Sequence, residues 1–103
     1  MAKEIKRTDA MENLRLYMVN TESLYNAYRE IVEEIVLSGK KVILGKHRKR
    51  MAEIARDAVG MYKIECGVSV GRIGCNQIIA VGREVLEDEL DEAWDFYQRN
   101  HTF

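Results

Sequence analysis

The strongest periodic signal in the chain is a stretch in which apolar and other residues alternate, and this signal constrains the fold most. Its apolar positions are Tyr62, Ile64, Cys66, Val68 and Val70. A period of two indicates a β-strand with one buried face, because successive side chains of a strand point to opposite sides of the sheet. The alternation therefore predicts that the fold contains at least one strand.

Helical spacing dominates the N-terminal segment, residues 9–38. Asp9 with Glu12 three residues later is typical of a capped helix start. Apolar residues then recur at intervals of three and four up to a Ser-Gly pair at residues 38–39, where a helix commonly ends. Because an Asn-Thr pair at residues 20–21 interrupts the pattern, we predict either one long helix or a helical pair.

The middle of the chain, residues 41–70, predicts a β-α-β unit. The Val-Ile-Leu run at residues 42–44 is short, apolar and rich in β-branched residues, which favours a buried strand. A helical stripe follows, with Gly60 in the usual place of a C-cap. The alternating stretch 62–70 supplies the second strand, and a right-handed crossover is expected between two parallel strands.

The remaining pattern, residues 75–98, predicts a long C-terminal helix. Gly82 lies inside it, where glycine costs about 1 kcal/mol relative to alanine, and a close backbone contact would explain it. We therefore predict a helix-rich α+β or α/β fold in a single domain, residues 1–103, with a basic segment at 1–8. A sheet of two strands is small. Either a partner subunit contributes further strands, or the fold is a helical assembly in which the strands are minor, and a homodimer is predicted.

The composition limits the class of protein. The chain of 103 residues contains no proline, and no apolar run approaches the length of a membrane-spanning helix, roughly 20 residues. Its first seven residues lack the apolar core of a signal peptide, so we predict a cytoplasmic protein that does not contact a membrane. Cys66 and Cys75 fit neither a disulfide framework nor a zinc pattern, which favours buried or half-buried free thiols. No constellation of residues indicates an enzyme, a metal site or a cofactor.

The charges are strongly segregated although the net charge is only −1. Residues 40–56 carry seven cations and one anion, whereas residues 84–95 carry seven anions and no cation. The cations cluster at the predicted start of a helix, which is unfavourable because a helix N-terminus is already positive. This placement indicates that an anion binds there, and phosphate is the usual one. The alternatives are a solvated basic surface, neutralisation by internal pairing with the acidic segment, and head-to-tail self-association through the two segments.

The basic cluster, defined here as the cations and the histidine of residues 40–50, supplies most of the candidate site. Its members are Lys46, His47, Arg48, Lys49 and Arg50, with Lys40 and Lys41 at the margin. The absence of the Walker pattern argues against nucleotide hydrolysis. A glycine-rich turn at residues 67–74 is the second candidate, and it carries Arg72. In a β-α-β unit both turns lie at the same edge of the sheet, which would let Arg72 join the basic cluster. The alternative is that the glycines are needed only to form the turn.

Residues 41–86 resemble the first half of an Alba-type domain. The resemblance lies in a strand that runs into Gly-Lys at residues 42–46, and in a Gly-Arg turn at residues 71–72 that leads into the next helix. Alba-type domains are small, usually dimeric α/β proteins that bind nucleic acid, so the resemblance implies that fold and that ligand. It also implies that Lys46, its neighbours and Arg72 make the contacts. The helical pattern of residues 84–103 departs from the β-hairpin that closes such domains.

These observations predict a small protein that binds DNA or RNA. Phosphate contacts carry no sequence information, so low sequence specificity is expected. The alternative is a protein-binding regulator, an adaptor or inhibitor, that docks a partner through its helical faces and acidic C-terminal helix. Trp94, Phe96 and Tyr97 would then be the anchors, because aromatic residues dominate interface hot spots.

Overall fold

The protein is all-helical over the part of the chain that can be described. The structure, a computed structural model, describes the backbone of residues 7–101 and the side chains of residues 7–99. The helices are α1 (Asp9–Asn20), α2 (Glu22–Leu37), α3 (Gly45–Cys66) and α4 (Cys75–His101). No strand occurs between residues 7 and 101, so the predicted α+β or α/β fold with its β-α-β unit is wrong. Most of the predicted basic segment 1–8 lies outside the described residues.

Neither predicted strand has a strand beside it. Residues 42–44 form part of the loop between α2 and α3, and two of the three side chains, Val42 and Leu44, are about half exposed. The alternating stretch begins inside α3, where Ile64 is 83% exposed. Of its apolar positions only Val70 is fully buried. A strand needs a paired neighbour to satisfy its backbone groups. No such neighbour exists in residues 7–101, and the alternating sequence instead forms the end of α3 and the following turn.

α3 continues through the glycine that was predicted to end it. Gly60 lies within the helix, and apart from the adjoining residues and the helix's own backbone no atom lies within 4 Å of the place where a Cβ would stand. The helix ends instead at Gly67, which adopts a left-handed φ of 71° and donates its N–H to the Lys63 carbonyl at 2.9 Å. Gly67 therefore has the C-terminal role that the sequence assigned to Gly60.

The N-terminal segment is the helical pair that was one of the two predicted forms. The single residue Thr21 separates α1 from α2. The cap of α1 lies one residue before Asp9, since the Thr8 hydroxyl accepts the Met11 N–H at 3.3 Å. α2 ends at the predicted Ser-Gly pair, where Gly39 has a φ of 80°.

Ion pairs define how the helices run relative to one another. Lys46 and Arg50 of α3 pair with Glu34 and Glu30 of α2, so the two helices are antiparallel. Arg29 of α2 pairs with Glu89 of α4. Seven residues further along both helices, Val36 and Phe96 line the same groove, which makes α2 and α4 parallel. The start of α3 therefore lies at the same end of the bundle as the C-terminal halves of α2 and α4.

One apolar core joins the helices, each of which contacts the other three. The largest fully buried side chains are Tyr28, Leu14, Met18, Ile31, Ile35, Met51, Leu86, Val32 and Val81. They come from all four helices. Burial of such side chains is the main favourable contribution to folding.

Candidate interaction surfaces

The basic cluster is neutralised in part by carboxylates of α2. The Lys46 ammonium lies 3.0 Å from a carboxylate oxygen of Glu34, and an Arg50 guanidinium nitrogen lies 3.6 Å from the other oxygen. Arg50 also lies 3.8 Å from Glu30. Glu34 and Glu30 of the same chain therefore supply part of the negative charge that the sequence indicated beside the basic cluster.

Antiparallel packing explains why these cations are tolerated at the start of α3. The first turn of α3 is electropositive, but the C-terminal half of α2 beside it contributes both carboxylates and the negative end of its own dipole. A hydrogen bond from Lys46, together with its charge, holds the pKa of Glu34 below its usual range. Between the basic cluster and the acidic segment 84–95, the described residues contain a single ion pair, Lys41 with Asp91 at 2.6 Å.

His47 is buried rather than exposed to a ligand on the surface. Its ring Nδ1 accepts the Leu44 N–H at 3.1 Å, so the proton of a neutral ring is on Nε2. The residue is 4% exposed, and Nε2 has no hydrogen-bond acceptor among the described residues. A Glu34 carboxylate oxygen lies 3.6 Å from Nε2, which is too far for a hydrogen bond.

Three members of the basic cluster remain on the surface without a carboxylate partner. Lys40, Arg48 and Lys49 are exposed, and none forms an ion pair with another residue of the described part. Arg72 does not join them. It follows the far end of α3, a helix of 22 residues that is about 33 Å long at 1.5 Å per residue. The shared edge expected from a β-α-β unit does not exist.

The glycine-rich turn 67–74 packs against α1. Val70 is buried, and its carbonyl accepts a hydrogen bond from the Asn13 side chain at 3.5 Å. Gly71 has a φ of 117°, and a Cβ added to it would stand 3.1 Å from the Cβ of Ala10. At the end of the turn the Gly74 N–H donates to the Gln77 side chain at 2.7 Å. These contacts give the glycines a structural role in joining α3 to α4.

An open apolar groove lies between the C-terminal halves of α2 and α4. Its volume is about 530 Å³, and its walls are Arg29, Val32, Glu33, Val36, Leu37, Glu92, Ala93, Phe96 and Tyr97. Leu37 is 80% exposed and Phe96 is 70% exposed. Of the predicted aromatic anchors, Phe96 and Tyr97 line the groove. Trp94 does not, and packs instead on Tyr97 with ring centroids 5.7 Å apart.

Acidic side chains surround this groove. Glu33 and Glu92 line it, and neither forms an ion pair with a residue that the structure describes. Asp88 and Asp95 lie one turn away from Glu92 on the same side of α4, because residues three and four apart share a helix face. Arg29 is engaged with Glu89 at 3.6 Å. The groove is therefore apolar inside and negative at its rim.

Cys66 and Cys75 are exposed free thiols, so the prediction that they are buried or half-buried is wrong. Among the described residues, no group of three or more His, Cys, Asp or Glu side chains is placed to hold a metal ion. Within the same residues, no helix combines the length and the apolar character needed to cross a membrane.

Comparisons of the chain with protein-family models, with curated proteins and with solved structures find no match. The Alba-type resemblance therefore has no support beyond the short motifs that suggested it, and the α/β fold that it implied is absent from residues 7–101.

Proposed function

We propose that the protein is a small helical adaptor that binds an amphipathic helix of a partner protein in the groove between α2 and α4. The observation that carries this proposal is the open groove of about 530 Å³ with an apolar interior and an acidic rim. Exposed apolar surface of this kind on a small domain is typical of protein-interaction sites.

The shape of the groove favours a helix as the bound element. The groove follows α2 from Arg29 to Leu37, a length of about 12 Å, which corresponds to about two turns of a docked helix. A helix that lies in such a groove contacts it with side chains spaced at i, i+3/i+4 and i+7. The apolar positions of the partner would pack on Val36, Ala93 and Phe96.

The charge at the rim favours a basic partner. Glu33 and Glu92 have no cation opposite them within the described residues, and Asp88 and Asp95 extend the negative surface along α4. Lysine or arginine residues that flank the apolar stripe of the partner would complement these carboxylates. Complementary charge mainly raises the association rate and the specificity of a complex.

Titration with a designed peptide tests the proposal. The ¹⁵N-labelled full chain would be mixed with a 16-residue helical peptide (length chosen as about four turns) that carries leucines at i, i+4 and i+7 and lysines on both flanks. We expect amide shifts confined to the groove, around Val36 and Ala93. A peptide with glutamate in place of each lysine should bind at least about tenfold more weakly.

Two variants with matched exposure make the test specific. Leu37→Asp places a charge in the groove and should abolish peptide binding. Ile64→Asp places the same charge on an equally exposed residue, 83% against 80%, but outside the groove, and should leave binding unchanged. Binding that Leu37→Asp does not weaken, or no binding of the lysine peptide by the wild-type chain, would contradict the proposal.

Nucleic-acid binding is the second candidate, and a specific observation favours it. Lys40, Arg48 and Lys49 are exposed cations with no ion pair in the described part of the chain. Such cations are available for phosphates of DNA or RNA. Lys46 and Arg50 contribute less to this candidate because they already contact carboxylates of α2.

A salt titration with single- and double-stranded DNA and RNA tests this candidate. The logarithm of the affinity should fall linearly with the logarithm of the salt concentration, and Arg48→Ala/Lys49→Ala should lower that slope by about 2, one unit per lost phosphate contact. Arg56→Ala/Lys63→Ala, which removes the same charge further along α3, is the control and should change the slope little. An unchanged slope in the first variant excludes these contacts.

A further inference from the structure

A second cavity lies where α2 ends and α3 begins, away from the groove. Its volume is about 440 Å³, and its walls are Glu34, Ser38, Lys40, Val42, Leu44, Lys46 and His47. Two lysines and one glutamate supply its formal charges. The cavity is therefore lined by more positive than negative groups, unlike the groove between α2 and α4.

The His47 side chain presents an unpaired buried donor to this cavity. Its side chain is 5% exposed, and Nε2 has no hydrogen-bond acceptor among the described residues. Because Nδ1 accepts the Leu44 N–H, the ring is fixed with Nε2 directed towards Glu34, another wall of the cavity. Buried polar groups in proteins are nearly always hydrogen-bonded, so an unpaired one that faces a cavity indicates a missing acceptor.

The first turn of α3 adds further donors. No residue of the described part accepts the backbone N–H groups of Gly45 or Lys46. Free N–H groups at a helix N-terminus, together with the positive end of the helix dipole, form a common phosphate-binding arrangement. The Lys46 ammonium at the same place supplies a full charge.

Glu34 now occupies the position that an anion would take. Its carboxylate lies 3.0 Å from Lys46 Nζ and 3.6 Å from His47 Nε2, and 3.6 Å from Arg50. Its side chain is 46% exposed, so rotation into solvent would remove the carboxylate without disturbing the core. A tetrahedral anion has more acceptor oxygens than this carboxylate and can reach His47 Nε2 as well as Lys46.

We infer that this cavity is a binding site for a phosphate group, with Lys46, the His47 Nε2–H and the first-turn amides of α3 as its donors, and that Glu34 masks it as an internal competitor. The site does not depend on the groove or on the proposed helical partner. Its ligand is inorganic phosphate, or the phosphate of a larger molecule that displaces Glu34.

Removal of the competing carboxylate is the decisive test. Amide shifts of the ¹⁵N-labelled full chain would be followed during titration with inorganic phosphate for the wild type and for Glu34→Gln. We expect Glu34→Gln to bind phosphate at least tenfold more tightly, with shifts centred on Gly45, Lys46 and His47. Glu33→Gln is the matched control, since Glu33 is the neighbouring carboxylate but lines the other groove, and it should bind as the wild type does.

Second substitutions in the Glu34→Gln background identify the donors. Lys46→Ala should remove most of the gained affinity, and His47→Gln should remove part of it, because glutamine can still accept the Leu44 N–H but lacks the imidazole Nε2–H. The proposal is wrong if Glu34→Gln binds phosphate no more tightly than the wild type. It is also wrong if the affinity survives both second substitutions unchanged.

The source of the phosphate is distinguished with three probes on the Glu34→Gln chain. These are inorganic phosphate, a nucleoside monophosphate and an oligonucleotide that has only internal phosphodiesters. A buried donor such as His47 Nε2 favours a terminal phosphate, so the first two should bind and shift the same amides. Tighter binding of the oligonucleotide at those amides would assign the site to a nucleic-acid backbone instead of a terminal phosphate.

Discussion

Gly82 of α4 lies so close to Met51 of α3 that a methyl group on its α carbon would stand 3.1 Å from the Met51 carbonyl oxygen. The same methyl group would stand 3.2 Å from Ala55 Cβ. The sequence predicted a close backbone contact at this glycine, and the structure confirms it. The contact allows α3 and α4 to approach each other at the centre of the bundle.

Two glycine-to-alanine substitutions should therefore have opposite effects. Gly60→Ala gains helix propensity with nothing in contact, and the free energy of unfolding should rise by about 1 kcal/mol. Gly82→Ala gains the same helix propensity, but its methyl group must displace the Met51 carbonyl and the Ala55 side chain. Neither can move aside easily, so the free energy of unfolding should fall. Urea unfolding of both variants measures the difference, and equal stabilisation by both would contradict the close packing of α3 on α4.

Tyr28→Phe should stabilise the protein. Tyr28 is completely buried, and its hydroxyl has no hydrogen-bond partner among the described residues. An unsatisfied buried polar group costs about 1–3 kcal/mol, so its removal should raise the free energy of unfolding by about 1 kcal/mol. Tyr25→Phe, at the half-buried ring that packs edge-on against Tyr28, is the control and should change stability by less than about 0.5 kcal/mol.

The same tyrosine should make the wild type sensitive to alkali. Burial raises the pKa of Tyr28 above its ordinary value of 10.0. A raised folded-state pKa means that the full stability is present below pH 10 and is lost as the pH rises above it, since the unfolded chain ionises first. Tyr28→Phe should lose less stability than the wild type between pH 10 and pH 11.5, an interval over which one proton changes the free energy of unfolding by about 2 kcal/mol. Equal losses in the two proteins would show that ionisation of Tyr28 does not cause the sensitivity.

Acid should weaken the contacts at the start of α1. A hydrogen bond from Arg15, and then one from Arg7, lower the pKa of Glu12 from 4.5 to about 2. A lowered folded-state pKa contributes stability above pH 4.5, and this stability is lost as the pH falls towards 2. Glu12→Gln should therefore lose less stability than the wild type over that window.

The control for this acid titration is Glu53→Gln, at an exposed carboxylate that forms no ion pair with the described residues. It should follow the wild type. Because the Glu12 side chain is 38% exposed, the difference should shrink when salt is raised to about 1 M. A difference that persists in high salt would point to a cause other than these ion pairs.

Periodicity predicted the helices better than the connections between them. The apolar stripes of α1, α2 and α4 extend over many turns, and each corresponds to a helix in the structure. The alternation at residues 62–70 extended over few residues, and the last turns of α3 produce the same pattern by coincidence, with Ile64 and Cys66 facing solvent. Gly60 reinforced the error, because a glycine in open space inside a helix has the same sequence signature as a C-cap.

The candidate site depended on which helices are neighbours, and sequence alone left that open. The acidic segment 84–95 is the most conspicuous source of negative charge, yet Lys46 and Arg50 pair with Glu34 and Glu30. A signal for this existed: the two glutamates lie one turn apart just before a short loop, and an antiparallel helix that follows such a loop must place its first turns beside them. Predicting the groove required three-dimensional information, since its walls come from residues about 60 positions apart in the chain.

His47 should contribute to stability through its cap of α3. A side chain at the third helical position that accepts the N–H of the cap residue forms half of a capping box, and here His47 Nδ1 accepts from Leu44 at 3.1 Å. His47→Ala leaves that N–H unpaired and leaves a cavity where the buried ring was, so the free energy of unfolding should fall by about 2 kcal/mol. His47→Gln restores an acceptor and should recover about half of that loss. If glutamine and alanine are equally destabilising in urea unfolding, packing of the ring rather than the cap is what stabilises this end of α3.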